Sequence, residues 1–142
     1  MYEFREIAVR RFAKYTILAA GFHFVLETLY TIWFGQHWLG LLPDYIAVAL
    51  MVLAACLIVL QSAGYVGFLC GAWGFAFCLN YRAWAWRFEA FLTDHSSPLT
   101  DRVMYILSGT LIISLISFAV SLWLCVPIAR LRDDFAAGHS EK

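Results

Sequence analysis

Charge is what this sequence has least of. Asp, Glu, Lys and Arg together make up 14% of its 142 residues, against about 25% in an average soluble domain. With 63% hydrophobic residues and a mean hydropathy of +0.74, the chain lacks the polar side chains needed to cover a folded surface. That excludes a soluble globular domain and a disordered chain, and leaves a membrane protein. Neither sign of charge is in excess. Ten basic and ten acidic residues give a formal net charge of zero, which excludes long-range steering of nucleic acid. The four cysteines, Cys56, Cys70, Cys78 and Cys125, lie in apolar runs without C-x-x-C spacing, so they read as compact packing residues and not as a thiol oxidoreductase. The alternative is a buried thiol cluster of Cys56, Cys70 and Cys125. An H-E-x-x-H zinc motif, a P-loop and a G-x-S-x-G elbow are also missing, and no metal site is expected. A bis-histidine haem is excluded because His23 and His37 share one span, while His95 and His139 fall in loop and tail.

What is present is length in the right units. At about 20 residues per span, the chain holds four helices and no separate soluble domain. The apolar runs place spans at about 12–35, 43–61, 64–82 and 103–128. The expected fold is an all-α integral membrane protein, an antiparallel four-helix bundle in a single membrane domain over 1–142. The apolar run after Arg5, Arg10, Arg11 and Lys14 is too long for a signal-peptide core, so it reads as a retained first span. Pro43 suits the first turn of span two. Gln61 to Gly64 is the only break before span three, which makes spans two and three neighbours. Thr100 is expected to cap span four and Pro127 to kink its end.

Seven basic residues, Arg5, Arg10, Arg11, Lys14, Arg130, Arg132 and Lys142, lie at the two ends, and three, Arg82, Arg87 and Arg102, lie between spans three and four. This asymmetry puts both termini in the cytoplasm, in a plasma (inner) membrane protein. Trp33, Trp38, Trp84 and Trp86 then form an aromatic belt at the outer interface.

Small residues indicate the packing. Gly67, Gly71 and Gly74 form a stripe on span three, with a G-x-x-x-G pair at Gly67 and Gly71. Thr110, Ser114, Ser117 and Ser121 share one face of span four. The two stripes are expected to meet, with the hydroxyls bonded to their own i−4 carbonyls or across the seam. A pathway lining or a contact between copies is the functional alternative.

Ionisable residues inside a membrane span cost about 2.5–3.5 kcal/mol on insertion scales and usually face a bundle interior or a site. Here they are His23 and Glu27, four residues apart on one face of span one. Glu27 lies fifteen residues beyond Phe12, or roughly 22 Å at about 1.5 Å per residue. Asn80 lies equally far along span three, and span four brings Ser108 and Thr110 to the same layer. His23, Glu27, Asn80, Arg82 and Thr110 are therefore expected to converge on an outer-side polar pocket. In one reading Glu27 pairs with Arg82, His23 bonds a hydroxyl or carbonyl, and the group orients helices. In the other, desolvation poises Glu27 and His23 for proton exchange or for holding a polar head group. A third places them against lipid or a partner subunit.

After span three comes an aromatic, charged segment over 82–92. Read as a helix, Tyr81, Trp84, Phe88 and Phe91 share one face and Arg82, Trp86 and Glu89 another. It reads as an interfacial extension at head-group level, or as a lid over the pocket formed by Trp84, Trp86 and Arg87, with an arginine holding an anionic or carbonyl group.

The His23-x-x-x-Glu27 pair resembles that of the sterol-isomerase-like four-helix membrane family, where a His and a carboxylate line a lipid cavity. The resemblance covers those two positions alone; the large loop and further acidic positions of that family are absent from the sequence. The leading expectation is an accessory or homo-oligomeric membrane subunit, partnered by the bilayer and by other subunits or itself, whose pocket binds a lipid-like or quinone-like molecule. The absence of catalytic motifs favours a non-enzymatic role. The alternatives are a proton-coupled small-molecule transporter using Glu27 and, as the resemblance implies, a lipid isomerase using His23 and Glu27 as acid and base.

Overall fold

A computed structural model describes the backbone of residues 2–35, 37–93 and 98–140, and the side chains of 5–33, 35, 37–93 and 102–126. It is all-helical. Four helices, α1 (Tyr2–Phe34), α2 (Trp38–Leu60), α3 (Val66–Leu92) and α4 (Pro98–Ser140), carry the chain, and each contains a stretch long and apolar enough to cross a membrane.

The helices run past the boundaries expected from hydropathy, because backbone hydrogen bonding continues where apolar character stops. α1 begins at Tyr2, ten residues before the apolar run, and Glu6 and Arg10 on its first turns form an i,i+4 ion pair at 3.0 Å. Its end is set by Gly35, whose φ of +62° lets its N–H donate to the Thr31 carbonyl at 2.9 Å. α2 starts at Trp38, so Pro43 lies inside the helix and not in its first turn. The start is capped by His37, whose Nδ1 accepts the Leu39 N–H at 3.3 Å. At the other end the Arg10 Nη1 donates to the Val59 carbonyl at 3.0 Å, placing a cation where α2 leaves its acceptors unpaired. Ser62 then accepts the Gly64 N–H and opens a 3₁₀ turn, Ala63–Tyr65, that leads into α3. α3 continues unbroken through the 82–92 segment. α4 begins at Pro98, so Thr100 lies within the helix and does not cap it, and the helix runs through Pro127 to Ser140. A loop is expected over 93–100; 98–100 are already helical, and 94–97 lie outside the described residues.

α1 packs on α2, α2 on α3 and α3 on α4. The buried face is rich in small residues: Ala13, Ala20, Ala47, Ala54, Ala55, Ala72 and Ala76 are all at most 3% exposed, while Leu18, Ile32, Leu60 and Trp123 point outward. Close backbone approach inside and large apolar groups outside is the pattern of helices packed in lipid, where the solvent is as apolar as the core. Larger side chains fill the gaps between them, among them Met51, Ile58, Leu69 and Leu124, and the largest is Trp73. It stacks on Tyr15 with ring centroids 6.1 Å apart, and its indole N–H donates to Thr16 Oγ1 at 3.0 Å, which in turn donates to the Phe12 carbonyl. This joins α1 to α3.

The two small-residue stripes meet in part. A Cβ at Gly74 would stand 3.1 Å from the Phe118 ring, and one at Gly67 3.8 Å from the Cys125 sulfur, but at Gly71 nothing lies within 4 Å. Gly71 is turned about 60° from Gly74 around the helix, enough to carry it off the seam, so of the G-x-x-x-G pair only Gly67 meets α4 among the described residues. We expect Gly74→Leu to cost about 1–3 kcal/mol by overpacking, and Gly71→Leu to stay within about 0.5 kcal/mol of the parent, measured by reversible unfolding in bicelles. Equal losses would show that the seam lies elsewhere. Ser114, Ser117 and Ser121 are buried. Thr110, Ser114 and Ser121 donate to carbonyls three residues back, not four, and Ser117 bonds Tyr15 of α1 at 3.2 Å. Cys125 lies beside Cys70 across α3 and α4, which leaves Cys56 outside the pair.

Candidate functional site

The four helices line an open cavity of about 670 Å³. Its walls come from four different places in the sequence. α1 supplies Leu26, Glu27, Tyr30 and Trp33 from its last third, and α2 supplies Leu39, Pro43 and Asp44 from its first two turns. α3 contributes Leu79, Asn80, Ala83, Trp86, Arg87 and Ala90, a stripe at three- and four-residue spacing, together with Arg82. The first described turns of α4 add Val103, Ile106, Leu107 and Thr110.

Four of the five residues expected to converge do so: Glu27, Asn80, Arg82 and Thr110 all line this cavity, and so do Trp86 and Arg87. Two expected members do not line it. Trp84 is turned to α4, where its indole N–H donates to Ser108 Oγ at 3.0 Å and its ring stacks on Phe88 at 4.8 Å. It is a fastening between helices and not a lid. His23 lies one turn below Glu27 and faces Asp44, with Nε2 3.8 Å from Oδ1.

The pairing of charges also differs from expectation. Among the described residues Arg82 makes no ion pair with Glu27; its guanidinium lies over the Trp86 ring at 5.8 Å. Arg87 makes none within 4.0 Å either, but it is the arginine whose charge acts on Glu27, and it sits 5.1 Å above the Tyr30 ring. The reason is angular. Residues 80 and 87 are separated by about 700° of rotation, within about 20° of the same direction, whereas 82 is turned about 200° from 80. Counting depth alone selects Arg82; counting depth and rotation selects Arg87.

Asp44 is the site residue that the sequence reading missed. A span that starts at Pro43 puts Asp44 at the membrane edge, whereas the earlier helix start at Trp38 carries it into the second turn, at the cavity. Its place is fixed by its neighbour Tyr45, whose ring lies 5.2 Å from that of Phe24. The Tyr45 hydroxyl donates to Thr28 Oγ1 at 3.1 Å, since Thr28 gives its own proton to the Phe24 carbonyl. Asn80 is held likewise, its Nδ2 donating to the Ala76 carbonyl at 3.0 Å.

The chain matches no known protein family, curated protein or solved structure. The volume of the cavity falls in the range of about 300–1,000 Å³ typical of small-molecule sites, and it combines apolar walls with a few convergent polar groups. Two carboxylates and two guanidiniums offer both acceptors and donors to a polar head group, and the leucine, isoleucine and tryptophan side chains offer a surface for an apolar body.

Proposed function

We propose that this chain is a small polytopic membrane protein whose cavity binds a lipid-like or quinone-like molecule, acting as an accessory or homo-oligomeric subunit in the inner membrane. In this reading the four helices form one membrane domain, an antiparallel bundle with both termini cytoplasmic. The cavity then opens toward the outer leaflet, and the 82–92 segment of α3 stands at head-group level. The observation that carries the reading is the composition of the cavity wall. Leu79, Ile106 and Leu107 suit an acyl or isoprenoid chain, while Arg87, flanked by Glu27 and Tyr30, suits a phosphate, carboxylate or carbonyl group. Both kinds of surface in one cavity fit an amphipathic molecule better than a small polar solute or a purely apolar one.

Native mass spectrometry of the protein released from lipid particles tests this directly, since it reads stoichiometry, partner subunits and retained small molecules together. We expect a bound lipid or quinone on the parent chain. We expect it to be lost from Ala83→Trp, which fills the cavity from an exposed position on α3 while leaving the buried face intact. A parent chain that retains nothing, or an Ala83→Trp variant that retains the same molecule at the same occupancy, would refute the reading.

A further inference from the structure

The geometry points to a binding site for a divalent transition-metal ion, formed by His23 and Glu27 of α1 and Asp44 of α2, at the cavity wall. One donor atom from each of the three side chains lies within 4.8 Å of the other two. The inference rests on these three groups and is independent of what fills the cavity.

Two observations set the cluster apart from an ordinary ion pair. First, His23 Nε2 is buried and has no hydrogen-bond partner, and an orphaned buried polar atom is costly unless something satisfies it. At 3.8 Å from Asp44 Oδ1 it stands too far for a hydrogen bond and at a distance that an intervening atom would close. Second, two carboxylates share the same small space with Arg87 as the cation whose charge acts on Glu27. With both carboxylates ionised and the imidazole neutral, Arg87 offsets only one of the two negative charges, and a divalent ion offsets the other.

The donor set decides the kind of metal. One imidazole nitrogen with two carboxylate oxygens suits Zn²⁺, Co²⁺, Mn²⁺ or Fe²⁺; the absence of sulfur disfavours Cu⁺, and the imidazole disfavours Ca²⁺ and Mg²⁺. Around a tetrahedral ion with bonds of about 2.0–2.1 Å, donors stand roughly 3.3 Å apart. His23 and Asp44 therefore need to approach by about half an ångström, and the i,i+4 relation of His23 and Glu27 lets both turn toward one point. Three protein ligands leave at least one position open. Because Glu27 and Asp44 line the cavity while His23 stands behind them, that position faces the cavity, where the metal could bind an oxygen of a bound head group.

Titration of the full-length, metal-free protein in lipid nanodiscs with Co²⁺, followed by its visible absorption, tests the proposal. We expect one Co²⁺ per chain, displaced by Zn²⁺ and not by Ca²⁺. Outer partners of metal ligands alone are worth about 10–100-fold in affinity, so His23→Gln and Asp44→Asn should each weaken binding at least about tenfold. His37→Asn, which keeps a capping acceptor, should bind as the parent does. A measurement on the parent chain avoids any folding defect of the variants: pulsed paramagnetic resonance of bound Cu²⁺ should count one imidazole nitrogen. No Co²⁺ band, a band unchanged in His23→Gln, or a count of zero or two imidazoles would overturn the metal site. Retained lipid, scored on the same preparations, separates the two proposals: lipid without metal refutes this one and leaves the cavity reading standing.

Discussion

Replacing Trp73 with alanine should cost about 3–5 kcal/mol of stability, the range for deleting a large buried aromatic. Trp73 is 3% exposed and contacts Phe12 and Tyr15, with ring centroids 6.2 and 6.1 Å away. Between helices in lipid the driving force is packing and not water release, so the loss comes from dispersion contacts that alanine cannot remake. Trp73→Phe keeps most of that area and removes the N–H that donates to Thr16. Hydrogen bonds between membrane helices average about 0.6 kcal/mol with a maximum near 1.7, so this variant should lose no more than about 2 kcal/mol. Reversible unfolding in bicelles, read by circular dichroism, gives both values. A phenylalanine variant as damaged as the alanine one would mean that the hydrogen bond, and not packing, joins α1 to α3.

Arg87→Leu is expected to reduce retention of the bound molecule roughly ten- to hundredfold, the equivalent of a hydrogen bond to a charged group at about 1.5–3 kcal/mol. Arg82→Leu, whose guanidinium is engaged with Trp86, should change retention by less than about twofold. The opposite charges of Arg87 and Glu27 on one cavity wall make a purely structural role for the arginine a real rival, and the double variant Glu27→Gln/Arg87→Leu separates the two. If the pair only positions helices, the double variant recovers stability and retention together. If Arg87 holds the ligand, stability recovers and retention does not. Equal effects of Arg82→Leu and Arg87→Leu on retention would argue that neither guanidinium has a defined contact.

Much of the molecule is legible in one dimension. The number of long apolar helices follows from composition and length, because each span must satisfy its own backbone hydrogen bonds and so reads as one continuous run. Glu27, Asn80 and Thr110 reach a common cavity because helical rise is constant, so equal residue counts give similar depths. Helix starts were less legible: hydropathy marks where a helix can enter lipid, while capping by His37 and continuation of α1 over charged residues set where the helix begins.

The rest needed the fold. Rotation about the helix axis put Arg87, and not Arg82, opposite Glu27, and took Gly71 off the seam that Gly74 occupies. The approach of α2 to α1 through Tyr45, Thr28 and Phe24 brought Asp44 against His23 and Glu27. A sequence gives each side chain a depth and an angle relative to its own helix, and those alone determined that this is a four-helix membrane chain with polar groups in its apolar layer. Which of those groups face one another depends on the relative rotation of packed helices. That is set by side-chain fit between segments far apart in the chain, and so it was decided only in the tertiary structure.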